Sequence, residues 1–388
     1  MLRLLVAPSG YKESLDAESV ASAIAHGARA ASDRVQVMEL PLADGGEGTA
    51  RTMARITGGV IHPVNVTGPI GEAIESHFAM LGNSEQPTAV VELAAAAGLR
   101  HVPSDRRDPM RTTTRGVGEL ILAALDIGAT RIVIGCGDSG VNDGGTGLAR
   151  ALGARFLDRQ GQEIAEGGIG LGDLDRINLS GLDPRIAATD IEVACNIANV
   201  LTGPDGVARL FGPQKGASPE EVEALAAGLD RYADIIERDC GHDVRTIPGG
   251  GASGGVGVGL HALLGARLIS RFDALFPYFD VDAAIADCDL IITAEGGVDF
   301  KTARGKIPAE IGMRGRAAGK PVIVLAGTIG ERAEVVLDHG VCAYFSTVEK
   351  PQTLAEAIEH TREQVTLMAE HVVRTFIAGM ALGATTRG

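Results

Sequence analysis

Three glycine-rich segments hold the carboxylates best placed to do chemistry. They are Ala43-Asp44-Gly45-Gly46-Glu47-Gly48, the run Gly135–Gly145 with Asp138, Asn142 and Asp143, and Ala294-Glu295-Gly296-Gly297-Val298-Asp299. Each sets bare backbone N–H groups, which can face phosphate oxygens, beside an acid that could hold Mg²⁺ or take a proton. Each follows a run that reads as a strand. Together they point to an enzyme that handles a charged, phosphorylated ligand.

Every candidate has a plainer reading beside it. Lys12 and Ser14 lie between the first strand and its helix, where a cation and a hydroxyl can meet a phosphate; a solvated lysine fits as well. Gly45 and Gly46 permit positive φ and close ligand approach, yet the same residues make a tight turn with Glu47 favouring the helix dipole. Asn142-Asp143-Gly144-Gly145 sits at a strand-to-helix junction, the place where open α/β sheets bind ligands. Asp143 could equally be an N-cap. Lys215, in Gly212-Pro-Gln-Lys-Gly216, is a loop cation or part of an ordinary turn. Glu295, Asp299, Thr302 and Lys306 crowd one strand end; carboxylates near a lysine suit Mg²⁺ and phosphoryl transfer, and a charge-balanced solvated loop would look the same.

Other motifs narrow the choice. No glycine stands five residues before Gly305-Lys306, so a Walker A loop is absent. Gly135-Cys-Gly-Asp-Ser-Gly140 matches a dinucleotide fingerprint, with Asp158 at a suitable distance. A dinucleotide loop usually runs from its third glycine into a helix, whereas Val-Asn-Asp-Gly-Gly follows here. An NAD-binding oxidoreductase is therefore kept as a rival. The nine histidines show no HxH or HExxH spacing, which speaks against zinc.

Bulk properties set the frame. A net charge of −15 disfavours nucleic acid as the main partner. A small anionic substrate would then need a local basic pocket or Mg²⁺. With 388 residues, two domains are expected. Aromatics are 3% and Trp is absent, so Ala, Val, Ile and Leu must form the core. Five scattered cysteines without CxxC read as reduced thiols in a cytoplasmic protein. The opening Met-Leu-Arg-Leu-Leu-Val is too short for a signal peptide and reads as a strand. No stretch is read as reaching the roughly 18 apolar residues of a membrane span.

The elements that must position these loops follow from periodicity. Strands are expected at Leu2–Ala7, Val35–Leu40, Ala89–Leu93, Arg131–Gly135, Ile191–Cys195, Asp289–Thr293, Val322–Leu325 and Cys342–Phe345. Helices are expected after Asp16 as N-cap, over Glu47–Ile56, Val117–Asp126, Gly144–Leu152, Pro219–Cys240 and Pro308–Ala318. Two more are expected, one ending near Leu264 and one running from about Thr353 to the C-terminus. This alternation favours parallel sheets covered by helices. The chain ends are expected to share one Rossmann-like domain, residues 1–72 with 288–388, around an inserted α/β domain of residues 73–287.

The motifs taken together resemble those of the type 1 glycerate kinase family. Ala7-Pro8 with Lys12-Glu-Ser-Leu15, Leu42-Ala-Asp-Gly-Gly-Glu-Gly48, Val66-Thr-Gly-Pro69, Thr112-Thr-Thr114 with Gly118-Glu-Leu120, Asn142-Asp-Gly-Gly145, Leu152-Gly-Ala-Arg-Phe156, Leu201-Thr-Gly-Pro204, Phe211-Gly-Pro-Gln-Lys-Gly216 and Gly305-Lys306 carry the likeness in order along the chain. The resemblance implies two three-layer α/β/α domains with mainly parallel sheets and an active site in the cleft between them. It implies ATP and Mg²⁺ as cofactors and D-glycerate as acceptor, giving 2-phosphoglycerate. Lys12 and Lys215 would then contact phosphates, and Asp44 and Asp143 would serve as acceptor base or Mg²⁺ ligand. Glu295 and Asp299 would support the metal or acceptor, Lys306 would add a cation, and Gly45, Gly46, Gly144 and Gly145 would donate N–H groups.

The chain departs from the family pattern in its glycine-acid loops. Ser9-Gly10 stands for Asp-Ser, Gly297 for an arginine, and the Cys195–Leu201 segment lacks two acids, one of them at Ala198. Because a buried charge is rarely lost without its partner, a reshaped acceptor pocket for a neutral polyol or cyclitol is a second reading. In the first reading Arg111, Arg115 or Lys301 supplies the lost charge. A non-catalytic ligand sensor is the third. A homodimer is compatible with all of these, and neither a membrane nor a nucleic acid is expected as partner.

Overall fold

A computed structural model describes residues 1–11 and 14–385. Its strands in chain order are β1 (Leu2–Val6), β2 (Val35–Glu39), β3 (Val60–Thr67), β4 (Ala73–Met80), β5 (Thr88–Glu92), β6 (Arg131–Gly135), β7 (Arg155–Leu157), β8 (Arg176–Asn178), β9 (Asp190–Cys195), β10 (Arg267–Ser270), β11 (Leu290–Val298), β12 (Val322–Ile329) and β13 (Ala343–Ser346). The chain forms two compact units, residues 1–43 with 279–388, and residues 44–278.

The first unit is built on five parallel strands in the order β13-β12-β11-β1-β2. The apolar runs of β1 and β11 are buried in this sheet, Leu4 pairing with Leu290 and Val6 with Ile292. Helix Ala17–Ala31 starts where Asp16 accepts from Ser19 N at 2.7 Å. Its Val20, Ile24 and Ala28 share a core with Val365, Ala369 and Val373 of helix Thr361–Thr385. Gly27 makes this crossing possible, because a Cβ there would fall 2.0 Å from Thr366 O. From β1 the chain moves to β2 on one side, and β11 to β13 lie on the other. The topological switch point is therefore between β1 and β11.

The second unit carries a six-stranded sheet, β10-β9-β6-β5-β4-β3. The β5-β6-β9-β10 part is parallel, and β3 and β4 add an antiparallel hairpin paired from Val60–Met80 to Thr67–Ala73. This hairpin corrects the expected boundary at residue 72, which would cut β3 away from its hydrogen-bonded partner. The strand was hard to see because β3 is an edge strand with His62, Pro63 and Asn65 and only one fully buried residue, Val66. Proline is tolerated there because an edge strand needs no donor on its open side. The separate β7-β8 hairpin was also unread.

One further expectation changes. The C-terminal helix is broken at His360 into Leu354–Glu359 and Thr361–Thr385. Residues 361–382 of the latter reach a mean hydropathy of 1.3, but the helix carries charged residues, among them the ion pair Arg374–Glu370 at 2.7 Å. Its Val365, Ala369 and Val373 are buried against helix Ala17–Ala31.

Candidate active site

Each unit gathers a cluster at the carboxyl ends of its strands. In the first unit the cluster sits at the switch point. Ser9, just past β1, places its hydroxyl 2.9 Å from Ala294 O and 3.0 Å from Glu295 Oε2, so Glu295 of β11 accepts from the neighbouring strand's end. Lys306 Nζ lies 3.7 Å from Glu295 Oε1 and donates to Gly297 O at 3.3 Å. Lys306 also precedes helix Ile307–Ala317, which opens with Ile307-Pro308. A carboxylate, a hydroxyl and a half-buried lysine thus converge on one spot where an α/β sheet takes ligands.

Thr302 and Asp299 hold this loop in shape. The buried Thr302 hydroxyl accepts from Asp299 N at 3.1 Å, and Asp299 Oδ1 accepts from Lys301 N at 2.8 Å. Asp299 keeps its second carboxylate oxygen. Among the described residues no three His, Cys, Asp or Glu side chains come together as a ready metal cage. That donor set fits Mg²⁺ in one specific manner, through one or two carboxylates with the remaining ligands from water and substrate phosphates.

In the second unit the segment 44–48 lies across the ends of β6 and β9. A Cβ on Gly45 would stand 3.1 Å from Ala194 O, and one on Gly137 would strike Gly46 Cα at 2.6 Å. The glycines therefore serve close backbone packing of two loops. Asp44 is held from two sides: Arg271 Nη1 donates to Oδ2 at 2.9 Å and Gly46 N to Oδ1 at 3.1 Å. Arg271 itself is buried, while the Asp44 side chain remains 39% exposed. Glu47 is exposed and paired with Arg100, and its N–H donates to Asp138 Oδ2 at 3.2 Å. Gly48 and Ala50 N–H groups at the start of helix Thr49–Thr57 donate to Glu92 at 3.2 and 2.8 Å. Burial pushes the Glu92 carboxyl upward, against those two donors.

The Asn142–Gly145 segment is interior. Asp143 is fully buried and accepts from Thr114 N, Thr114 Oγ1, Gly145 N and Gly147 N at 2.8–3.2 Å. Its geometry is that of a cap joining two helix starts, not of a carboxylate open to a ligand. Burial pushes its acid form upward despite the four donors. Gly144 N donates to Gly254 O at 3.0 Å, so the N–H groups of Gly144 and Gly145 are both spent inside the fold. Gly144 also lies under the ring of Tyr232, where a Cβ would come within 2.6 Å. Lys215 is buried too, donating to Val141 O at 2.6 Å, and desolvation lowers its amine to about 7. The Asn142 amide is enclosed beside it without a hydrogen-bond partner.

The expected residues thus divide. Asp44, Gly45, Gly46 and Glu47 stay together in one unit, and Glu295, Asp299, Thr302 and Lys306 in the other. The Ser14 hydroxyl lies 2.7 Å from Thr361 Oγ1. Lys12 lies outside the described residues. The dinucleotide reading fails in detail: Gly140 N donates to Ala97 O, Cys136 N to Ala194 O, and the next helix begins only at Thr146. Asp158 caps its own turn, accepting from Gln160 N and Gln162 N. Arg271 and Ser9 were not singled out as ligand-site residues. Arg271 is 227 positions from Asp44 and stands in no motif, so only the fold reveals the pair.

Comparison with known proteins decides the family. The model of the glycerate kinase family matches residues 4–377. The chain belongs to the glycerate kinase family. A protein of Escherichia coli (strain K12) named glycerate 2-kinase is 42% identical over 379 residues, 98% of this chain and 99% of that protein. A Bacillus subtilis (strain 168) protein named glycerate kinase is 42% identical over 384 residues, 99% of each. A solved structure from Salmonella typhimurium LT2, provisionally called glycerate kinase 2, is 44% identical. It superposes with a TM-score of 0.79, covering 98% of this chain and 99% of that one. The α/β architecture with mainly parallel sheets is therefore that of a glycerate kinase family member.

Proposed function

We propose that this chain is an ATP-dependent kinase that phosphorylates D-glycerate at its 2-hydroxyl. The observation that carries this is near-complete coverage, 98% of the chain at 42% identity, by a relative named for that activity. The acceptor oxygen forms a bond to the γ-phosphorus, the bond from that phosphorus to the β–γ bridging oxygen breaks, and ADP leaves. Asp44 is the carboxylate we assign to the acceptor hydroxyl proton, since Arg271 and Gly46 fix its two oxygens while part of it faces solvent. Glu295 and Lys306 are assigned to the phosphate side, Glu295 and Asp299 being the residues that would hold Mg²⁺. Mg²⁺, when bound, would neutralise charge on the phosphates. Gly45 and Gly46 shape the Asp44 loop, and Lys215 supports the Val141–Asn142 backbone from beneath.

The neutral-polyol reading finds no support. Ser9 has not left Glu295 without a partner, and the missing side chain at Gly297 leaves Thr328 as its nearest neighbour. Nothing observed favours a sensor without turnover. The test is ADP release from MgATP with D-glycerate against uncharged polyols. Turnover of polyols alone would overturn the proposal.

A further inference from the structure

The second unit holds a pocket of about 430 Å³ lined by Arg115, Arg150, Arg155, Glu163 and Glu166 with Gly153 and Ala154. That volume is within the range that small-molecule sites occupy. In a chain of net charge −15, three guanidinium groups against two carboxylates make a local positive excess. The two carboxylates are already engaged. Glu166 pairs with Arg115, whose Nε donates to it at 2.8 Å, and Glu163 accepts from Arg155 Nε at 2.8 Å.

Arg150 is left over. Its side chain is only 9% exposed, and its nearest carboxylate oxygen, Glu163 Oε2, is 3.8 Å from Nε. Nη2 donates to Ile164 O at 2.7 Å, the guanidinium lies 5.7 Å from the Phe156 ring centre, and Nε is buried without an acceptor. A buried cation without a hydrogen-bonded anion is costly. An oxyanion in the pocket would supply the missing acceptor, and the outer N–H groups of Arg155 are free to close on it.

We propose that Arg150, Arg155 and Arg115 form a second binding site, for the phosphate group of a small phosphorylated metabolite or free phosphate. The site belongs to the second unit alone and does not depend on the acceptor assigned above.

The experiment is titration of the purified protein with inorganic phosphate and, separately, glycerol 3-phosphate at constant ionic strength, read by calorimetry. Binding should weaken about tenfold or more in both Arg155→Gln and Arg150→Met, with the MgATP affinity unchanged. Arg155 is more than half exposed, so its variant folds even if Arg150→Met does not. Tighter binding of glycerol 3-phosphate assigns the site to a phosphate monoester, and equal or weaker binding assigns it to free phosphate. Absence of binding to the wild type, or undiminished binding in Arg155→Gln, overturns the proposal.

Discussion

Arg271 Nη1 donates to Asp44 Oδ2 at 2.9 Å, joining the end of β10 to the loop that opens the second unit. The arginine is buried and also reaches the Asp44 carbonyl at 3.3 Å, so the loop's backbone and its carboxylate are fixed by one side chain. Both oxygens of the Asp44 carboxylate are held, and the side chain still reaches solvent. If Asp44 takes the acceptor proton, Asp44→Asn should lower kcat by about 10²–10⁴-fold with little change in melting temperature. Arg271→Met should cost about 10–10²-fold through misplacement of the same group. Steady-state kinetics on both variants checks this, and near-wild-type kcat in Asp44→Asn would remove the assignment.

Asp143 should behave as a structural residue. Asp143→Ala leaves four buried donors without their acceptor, each costing about 1–3 kcal/mol before relaxation. Asp143→Asn should also destabilise, because its amide would turn N–H groups toward N–H groups. Urea unfolding should show both losses. An Asp143→Asn protein as stable as wild type but without activity would return this residue to the chemistry.

The first-unit cluster should report on metal and nucleotide. Glu295→Gln should raise the Mg²⁺ concentration needed for half-maximal rate, and Lys306→Met should raise KM for ATP, about tenfold each, the scale of one charge-assisted hydrogen bond. Kinetics at varied free Mg²⁺ separates the two. Identical Mg²⁺ dependence in Glu295→Gln and wild type would exclude the carboxylate from metal binding.

Lys215 should leave a mark on stability against pH. Its amine falls from 10.5 to about 7 on burial, so between those values the unfolded chain binds more protons than the folded one. Stability from this group therefore rises with pH across that window, is complete above 10.5, and is lost as pH falls through about 7. Lys215→Met should flatten the rise measured by urea titration between pH 7 and 9. An unchanged slope would contradict it.

Much of this architecture is written in local pattern. Residues 4–6, 132–135 and 290–293 are buried on both faces and read as strands for that reason. The hairpin β3-β4 escaped because an edge strand need not be apolar. Glycine-acid motifs proved ambiguous for a physical reason: Gly144, Gly145, Gly254 and Gly255 allow backbones to touch, and close packing selects glycine as strongly as a phosphate does. Asp143 and Asp44 look alike in sequence, and only burial separates a cap from a candidate base. Arg271 carries no local signal at all, since its meaning is a partner more than two hundred residues away.

The central claim is best tested by ADP release from MgATP by the purified protein, with D-glycerate and, in parallel, uncharged polyols and cyclitols as acceptors. The account predicts turnover of D-glycerate with 2-phosphoglycerate as product, and no turnover of the uncharged acceptors. Turnover confined to an uncharged acceptor, or none with D-glycerate, would contradict it.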